Sequence, residues 1–174
     1  MSDEEKGIGL REIARRLNEA GIPWAVFAGA AAAAYGARRA LTDVDILVPA
    51  YEGERLAGLL PEAEGRVHST GHRGFLLPGF DILAGLPLMD LDPAMEARLR
   101  RSEIGGVEVP VIPPEDNMLL KAMWGRGAAE GKHDWEDVEA MMRYLPALDW
   151  AYLRWRAGDL AERDRAEQAV SRLE

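Results

Sequence analysis

Two aspartates separated by one residue, Asp43 and Asp45, are the side chains in this sequence most able to do chemistry together. They lie in Thr42-Asp43-Val44-Asp45-Ile46-Leu47-Val48, a short run rich in branched apolar residues that predicts a strand. Alternate residues of a strand share a face, so Asp43 and Asp45 project together while Val44, Ile46 and Val48 turn to the core. Carboxylates held side by side repel one another unless a positive charge lies between them. A divalent cation supplies that charge, and a pair of metal ions is what in-line phosphoryl displacement uses to hold attacking and leaving oxygens. The plainer alternative is two solvated acids at a strand end, and the spacing by itself leaves both open.

The surroundings of the pair add to it. Upstream, Trp24-Ala25-Val26-Phe27-Ala28 reads as a buried strand, Gly29 as a tight turn, and Ala30 to Ala34 as a helix, given alanine's high propensity. A helix that starts so abruptly directs unpaired N–H groups and the positive end of its dipole at whatever lies above the turn, which suits an anion. Downstream, Asp81 stands between Phe80 and Ile82 in a second predicted strand, where an acid must be exposed, paired or coordinated. With no cysteine, a metal would rest on carboxylates or histidines, and with only His68, His72 and His133 in the chain oxygen ligands are favoured. These favour a hard cation such as Mg2+, Mn2+ or Ca2+, with Mg2+ first. Asp43, Asp45 and Asp81 on adjacent strands, beside Gly29 and Ala30, would thus make a site for a metal-bound triphosphate.

The elements that must position these residues can be read in order. Ile8, Ile13, Leu17 and Ala20 predict an amphipathic first helix ended by Gly21-Ile22-Pro23. Val44 to Val48 is a strand and Glu54 to Leu60 a helix closed by Pro61. Between Arg66 and Leu86, glycines punctuate a two-stranded hairpin, Phe75–Leu77 with Phe80–Leu83. Pro93 to Arg101 predicts a helix, and Val107 to Ile112 an edge strand because of Pro110. From Pro113 onward the periodicity is helical, broken at Gly125 to Gly131, with a further helix carrying Val138, Met141, Met142 and Leu145 and two more over 149–156 and 159–173, the last strongly charged and exposed. The expectation is an α+β fold in one domain, 1–174, with a sheet-rich core to about residue 112 and a helical tail from about residue 113.

Composition narrows the class. The chain has 174 residues, 48% of them hydrophobic and 29% charged, which suits a globular domain and excludes disordered and collagen-like classes. A formal charge of −9 argues against a general nucleic-acid coat protein. Ala20 to Ala37 carries no charged residue, but Gly21, Pro23, Gly29 and Gly36 interrupt it, so no membrane span is expected. The start, Met1-Ser2-Asp3-Glu4-Glu5-Lys6, holds acids where a secretory signal holds lysines, and a cytoplasmic location is the expectation.

These residues also carry a likeness. Trp24-Ala25-Val26-Phe27-Ala28-Gly29-Ala30, twelve further residues, then Asp43-Val44-Asp45 resembles the signature of the nucleotidyltransferase superfamily, a Gly-Gly or Gly-Ser turn followed by an Asp-x-Asp strand and a later third acid. Tyr35 to Arg39, Pro113 to Lys121 and Lys132 to Asp137 resemble its small stand-alone branch, which includes the toxins of toxin-antitoxin pairs. The resemblance spans about Leu17 to Leu145. It implies a nucleotidyltransferase-like mixed sheet flanked by helices, and transfer of a nucleoside monophosphate from a nucleoside triphosphate to a hydroxyl acceptor. It further implies that Asp43, Asp45 and Asp81 hold Mg2+ or Mn2+ and that Asp81 helps activate the attacking hydroxyl. Gly29 and Ala30 would approach the triphosphate through their backbone, and Lys121 would contact its phosphates. Asp134 would match the acid of the Lys-x-Asp segment. The chain departs from the pattern at Ala30, where a serine hydroxyl is common, at Leu41, where threonine is common, and in a lengthened segment between Lys121 and Asp134.

Several residues have a plainer reading as well. Lys121 could be the polar residue of an amphipathic helix, and Asp134 with Asp137 a helix cap, which we place ahead of catalysis. Arg38-Arg39 is either surface charge or the positive field a triphosphate needs, with Arg39 the nucleotide-binding candidate. His68 and His72 have the spacing of a helical zinc pair, but Ser69-Thr70-Gly71 between them argues for surface histidines. Trp124, Trp135, Trp150 and Trp155 are expected as core or interface anchors. Two functions follow: the enzyme just described, acting on a tRNA end, a protein side chain or a small molecule, or an inactive binding or regulatory protein on the same fold, with a partner protein in a toxin-antitoxin setting.

Overall fold

The apolar face of Val44–Val48 finds its partners in a seven-stranded mixed sheet. The computed structural model describes residues 2–174, with side chains described outside residues 3–8. Met1 and the Ile8 side chain, both used in the sequence reading, lie outside what is described. In chain order the elements are α1 (Asp3–Glu19), β1 (Ala25–Phe27), α2 (Ala28–Ala34), β2 (Val44–Val48), α3 (Gly53–Leu59), β3 (Glu64–Val67), β4 (Arg73–Leu77), β5 (Phe80–Ala84), α4 (Pro93–Glu96), β6 (Arg100–Ile104), β7 (Val107–Val111), α5 (Pro114–Trp124), α6 (Asp134–Tyr144), α7 (Trp150–Asp159) and α8 (Arg163–Leu173). The strands lie in the order β3-β4-β5-β2-β1-β7-β6. β2 runs parallel to β5 and β1 parallel to β7, and the other neighbours are antiparallel. This is the expected α+β class, with the helical tail following the sheet.

Register decides which side chains meet. Val26, Ile46, Ile82 and Phe75 form one cross-strand row on the buried face. Glu64, Leu76, Asp81, Asp45 and Phe27 form another on the opposite face, running across five strands. One continuous apolar cluster reaches from Leu10 on α1 through the strands to Ala169 and Leu173 on α8. The last helix, expected to be exposed, thus buries Ala166, Ala169, Val170 and Leu173 and exposes its charges on the other side.

Several boundaries differ from the sequence reading. β1 stops at Phe27 and α2 begins at Ala28, because the left-handed residue of the turn is Ala28 (φ 55°) and not Gly29. The predicted hairpin gains a third strand, β3, whose residues are all exposed and so carry no apolar alternation to read. The helix from Pro93 closes after one turn, and Arg100–Ile104 becomes the edge strand β6, again polar. β7, expected at the edge, lies inside the sheet. β1 pairs with it only at Val111, one residue beyond Pro110. Among the described residues no helix is long and apolar enough to cross a membrane.

A candidate nucleotide and cation site

The acid row is set by strand pairing. Asp45 in β2 lies directly opposite Asp81 in β5, so their side chains share a face, and Asp43 precedes Asp45 by one strand repeat. Asp43 is exposed and accepts a 3.0 Å hydrogen bond from Thr42 Oγ1. Loss of solvent, then the charges of Asp43 and Asp81, push the Asp45 carboxyl up to about 7, with Lys132 and Lys121 opposing from a distance. Asp81 Oδ2 accepts a 3.2 Å hydrogen bond from Arg66 Nη2, while its Oδ1 is buried with no partner. Among the described residues, no group of three or more His, Asp or Glu side chains is gathered as a ready-made metal cluster. The donor set nevertheless suits a hard cation. It consists of oxygens only, one of them buried and unpartnered, around a carboxylate whose charge is uncompensated.

Beside the acids, the turn into α2 is held by a side chain from another element. Asn117, fully buried on α5, accepts a 2.8 Å bond from the Ala28 N–H and donates a 3.2 Å bond to the Ala28 carbonyl. Gripping both backbone polar groups of this residue offsets the left-handed conformation that Ala28 adopts, which costs a non-glycine residue about 1–2 kcal/mol. Gly29 is exposed enough to present its backbone, and a Cβ built there would come within 2.8 Å of Arg39 Nη2. Ala30 is fully buried. Gly36 (φ 110°) then turns the chain where a side chain would strike Tyr144, and the Tyr35 hydroxyl, donating to the Ile112 carbonyl at 2.7 Å, anchors the end of the helix.

The predicted cation Lys121 is not free. It is buried on α5, with Nζ 2.8 Å from Asp137 Oδ2 and 3.2 Å from Asp134 Oδ1. Arg39 binds both oxygens of Asp137 at 3.0 Å, and Asp134 also receives the side chain and backbone N–H of Arg126. Three cations and two acids therefore form one network at the α2, α5 and α6 contact. Burial pushes Asp134 and Asp137 up, but hydrogen bonds from Arg126 and from Arg39 and Lys121 outweigh it and hold both below the usual carboxylate range. The capping expectation for Asp134 is corrected here. The residue before α6 is His133, which makes no capping bond, and the Asp134 carboxylate turns inward to the basic groups because burial demands a charged partner.

The residues thus fall into two groups. Asp45 and Asp81 lie opposite one another on one sheet face with Asp43 just ahead of β2, and Gly29, Arg39, Lys121 and Asp134 meet at the neighbouring helix contact. Asn117, Arg66 and Lys132 were not assigned a role from the sequence, and Asp137 only that of a helix cap. A buried asparagine on a helix leaves no periodic trace, and Arg66 lies in a strand that the sequence did not reveal. His68 is exposed, as expected for a surface histidine. Trp155 is about half exposed, whereas Trp124, Trp135 and Trp150 pack partly against the core. Two cavities flank the acids. One of about 510 Å³ lies between the Ala30–Ala34 face of α2, Arg39, Leu41 and the Glu103–Gly105 turn. The other, about 430 Å³, is bounded by Asp43, Glu64, Leu76 and Pro78.

No protein-family model matches the chain, and no curated protein sequence does. Solved structures do. The antibiotic-resistance factor ANT(2'')-Ia superposes with a TM-score of 0.61 at 12% identity, covering 98% of this chain and 92% of that one. A candidate nucleotidyltransferase from Thermotoga maritima gives 0.58 at 19% identity over 79% of this chain and 96% of that one. The lincosamide antibiotic adenylyltransferase LnuA, in a lincomycin-bound crystal structure, gives 0.55 at 14% over 78% and 96%. At these identities the likeness is one of fold, and the fold is that of nucleotidyltransferases.

Proposed function

We propose that this chain moves a nucleoside monophosphate from a nucleoside triphosphate to the hydroxyl of a small-molecule acceptor. The observation that carries the reading is the placement of Asp43, Asp45 and Asp81 on one sheet face beside the Gly29 turn. The fold shared with antibiotic adenylyltransferases supports it. The charge of −9 favours a small acceptor over a tRNA, and a partner protein in a toxin-antitoxin setting has only the sequence resemblance behind it.

Asp43, Asp45 and Asp81 would hold Mg2+ or Mn2+. That ion would neutralise charge on the transferred phosphoryl group and orient the attacking oxygen. The chain's own residues do the rest. Gly29, without a side chain, lets the Arg39 guanidinium lie against the turn, and the basic network of Arg39, Lys121 and Arg126 supplies a net positive field for the triphosphate. The cavity along α2 has the size of a ligand pocket and would receive the nucleoside between alanine walls. The acceptor hydroxyl would then lie on the open sheet face, near Asp43, Glu64 and Leu76. Its oxygen bonds to the α-phosphorus as the bond to pyrophosphate breaks, and its proton passes to Asp81 Oδ1, which has no other partner.

Titration of the protein with a non-hydrolysable ATP analogue, with and without Mg2+, tests the reading. Affinity should depend on Mg2+ in the parent and fall at least tenfold in Asp43→Asn and Asp45→Asn. Parent-like binding in both variants would refute the site, and nucleotide binding without pyrophosphate release across a panel of hydroxyl acceptors would favour the inactive binding protein.

A further inference from the structure

If the acid row takes up a cation, as that reading requires, the positive group it must exchange is already in view. Arg66 makes the one ion pair to the triad among the described residues, through Nη2 to Asp81 Oδ2 at 3.2 Å. We propose that Arg66 is an exchangeable counter-ion, holding Asp81 while no divalent cation is bound and moving its guanidinium to the anionic substrate once the carboxylate is coordinated.

Position, exposure and contact geometry carry this inference. Arg66 comes from the edge strand β3, one repeat along from the acid row, opposite Gly74. It reaches Asp81 diagonally across β4, so its head can leave without disturbing a strand. Its side chain is 39% exposed and that of Asp81 23%. The pair is a single contact that leaves Asp81 Oδ1 unpartnered, whereas Arg39 takes both oxygens of Asp137. The permanent pairs of the molecule, Lys121 with Asp137 and Arg156 with Asp116, are buried, and half-exposed pairs of this kind bind weakly enough to exchange. Among the described residues, Asp43 and Asp45 make no ion pair. Arg66 is thus the group that a cation at Asp81 would displace, and its length keeps it within reach of a phosphate on the same face.

Mn2+ binding in the absence of nucleotide, followed by electron paramagnetic resonance, separates this role from a structural one. Arg66→Ala should bind Mn2+ about three- to tenfold more tightly than the parent, because the competitor is gone. Arg66→Lys should stay near the parent, as should Arg101→Ala, which removes an exposed pair with Glu108 at the other sheet edge. In EDTA, Arg66→Ala should melt below the parent and gain more from added Mn2+. With saturating Mn2+ it should bind a non-hydrolysable ATP analogue about five- to fiftyfold more weakly. Unchanged or weaker Mn2+ binding in Arg66→Ala, or unchanged analogue binding, would overturn the proposal and leave the metal reading standing. Failure of the parent and every variant to bind Mn2+ would remove both.

Discussion

Asp45 shows at the residue scale how the site trades stability for chemistry. Its carboxyl is pushed up to about 7 from an ordinary value of 3.8 by lost solvent and by Asp43 and Asp81. Between those two values the folded chain holds more proton than the unfolded one, so stability from this group falls as pH rises through the interval and stays lost above it. Asp134 and Asp137 are depressed, and their contribution is lost only as pH falls below the carboxylate range, so they do not compete in this window. Asp45→Asn in EDTA should therefore melt about 2–6 °C above the parent at pH 8, on the order of 1–2 kcal/mol. The gap should close toward pH 5. Thermal melts across that range check it, and a gap independent of pH would show that charge is not the cause.

At the scale of the element, the turn into α2 depends on Asn117, which reaches it from α5. Removing that side chain leaves the Ala28 N–H buried without its partner and the left-handed alanine unsupported. Asn117→Ala should cost about 2–4 kcal/mol in denaturant unfolding, and Ala28→Gly should return about 0.5–1 kcal/mol by relieving the positive φ. Gly29 answers to a different constraint. A side chain there meets the Arg39 guanidinium, so Gly29→Val should push Arg39 off Asp137 and weaken triphosphate binding about tenfold or more, with a smaller loss of stability. In an Arg39→Ala background Gly29→Ala should be nearly neutral, which a double-mutant cycle reads directly. Additive losses would separate the glycine from the arginine.

Across the whole molecule, the helical tail is tied to the sheet by Arg156. It is fully buried on α7, bonds Asp116 on α5 at 2.8 Å and Asp92 before α4 at 2.6 Å, and shares Asp116 with the Tyr152 hydroxyl. Truncating Arg156 leaves the buried Asp116 without its counter-charge, so Arg156→Ala should cost about 3–5 kcal/mol. Because the apolar cluster is continuous from α1 to α8, the parent should unfold in one calorimetric transition. Two separate transitions in the parent would instead divide the sheet from the tail.

What the sequence determined by itself was local in its physics. The two-residue period of a strand places Asp43 and Asp45 on one face, and alanine propensity with Gly36 makes and ends α2. Periodic apolar residues mark the long helices, and the absence of cysteine leaves metal chemistry to carboxylates and histidines. Tertiary structure decided what depends on pairing between distant segments. Register sets Asp81 opposite Asp45, and an unpatterned polar edge strand brings Arg66 to Asp81. Close helix packing turns Lys121, Asp134, Asp137 and Arg39, separable as surface charges in the sequence, into one buried network. A one-residue slip of β5 against β2 would send Asp81 to the other face with no change in local propensity, and for that reason no reading of the strand by itself could place the third acid.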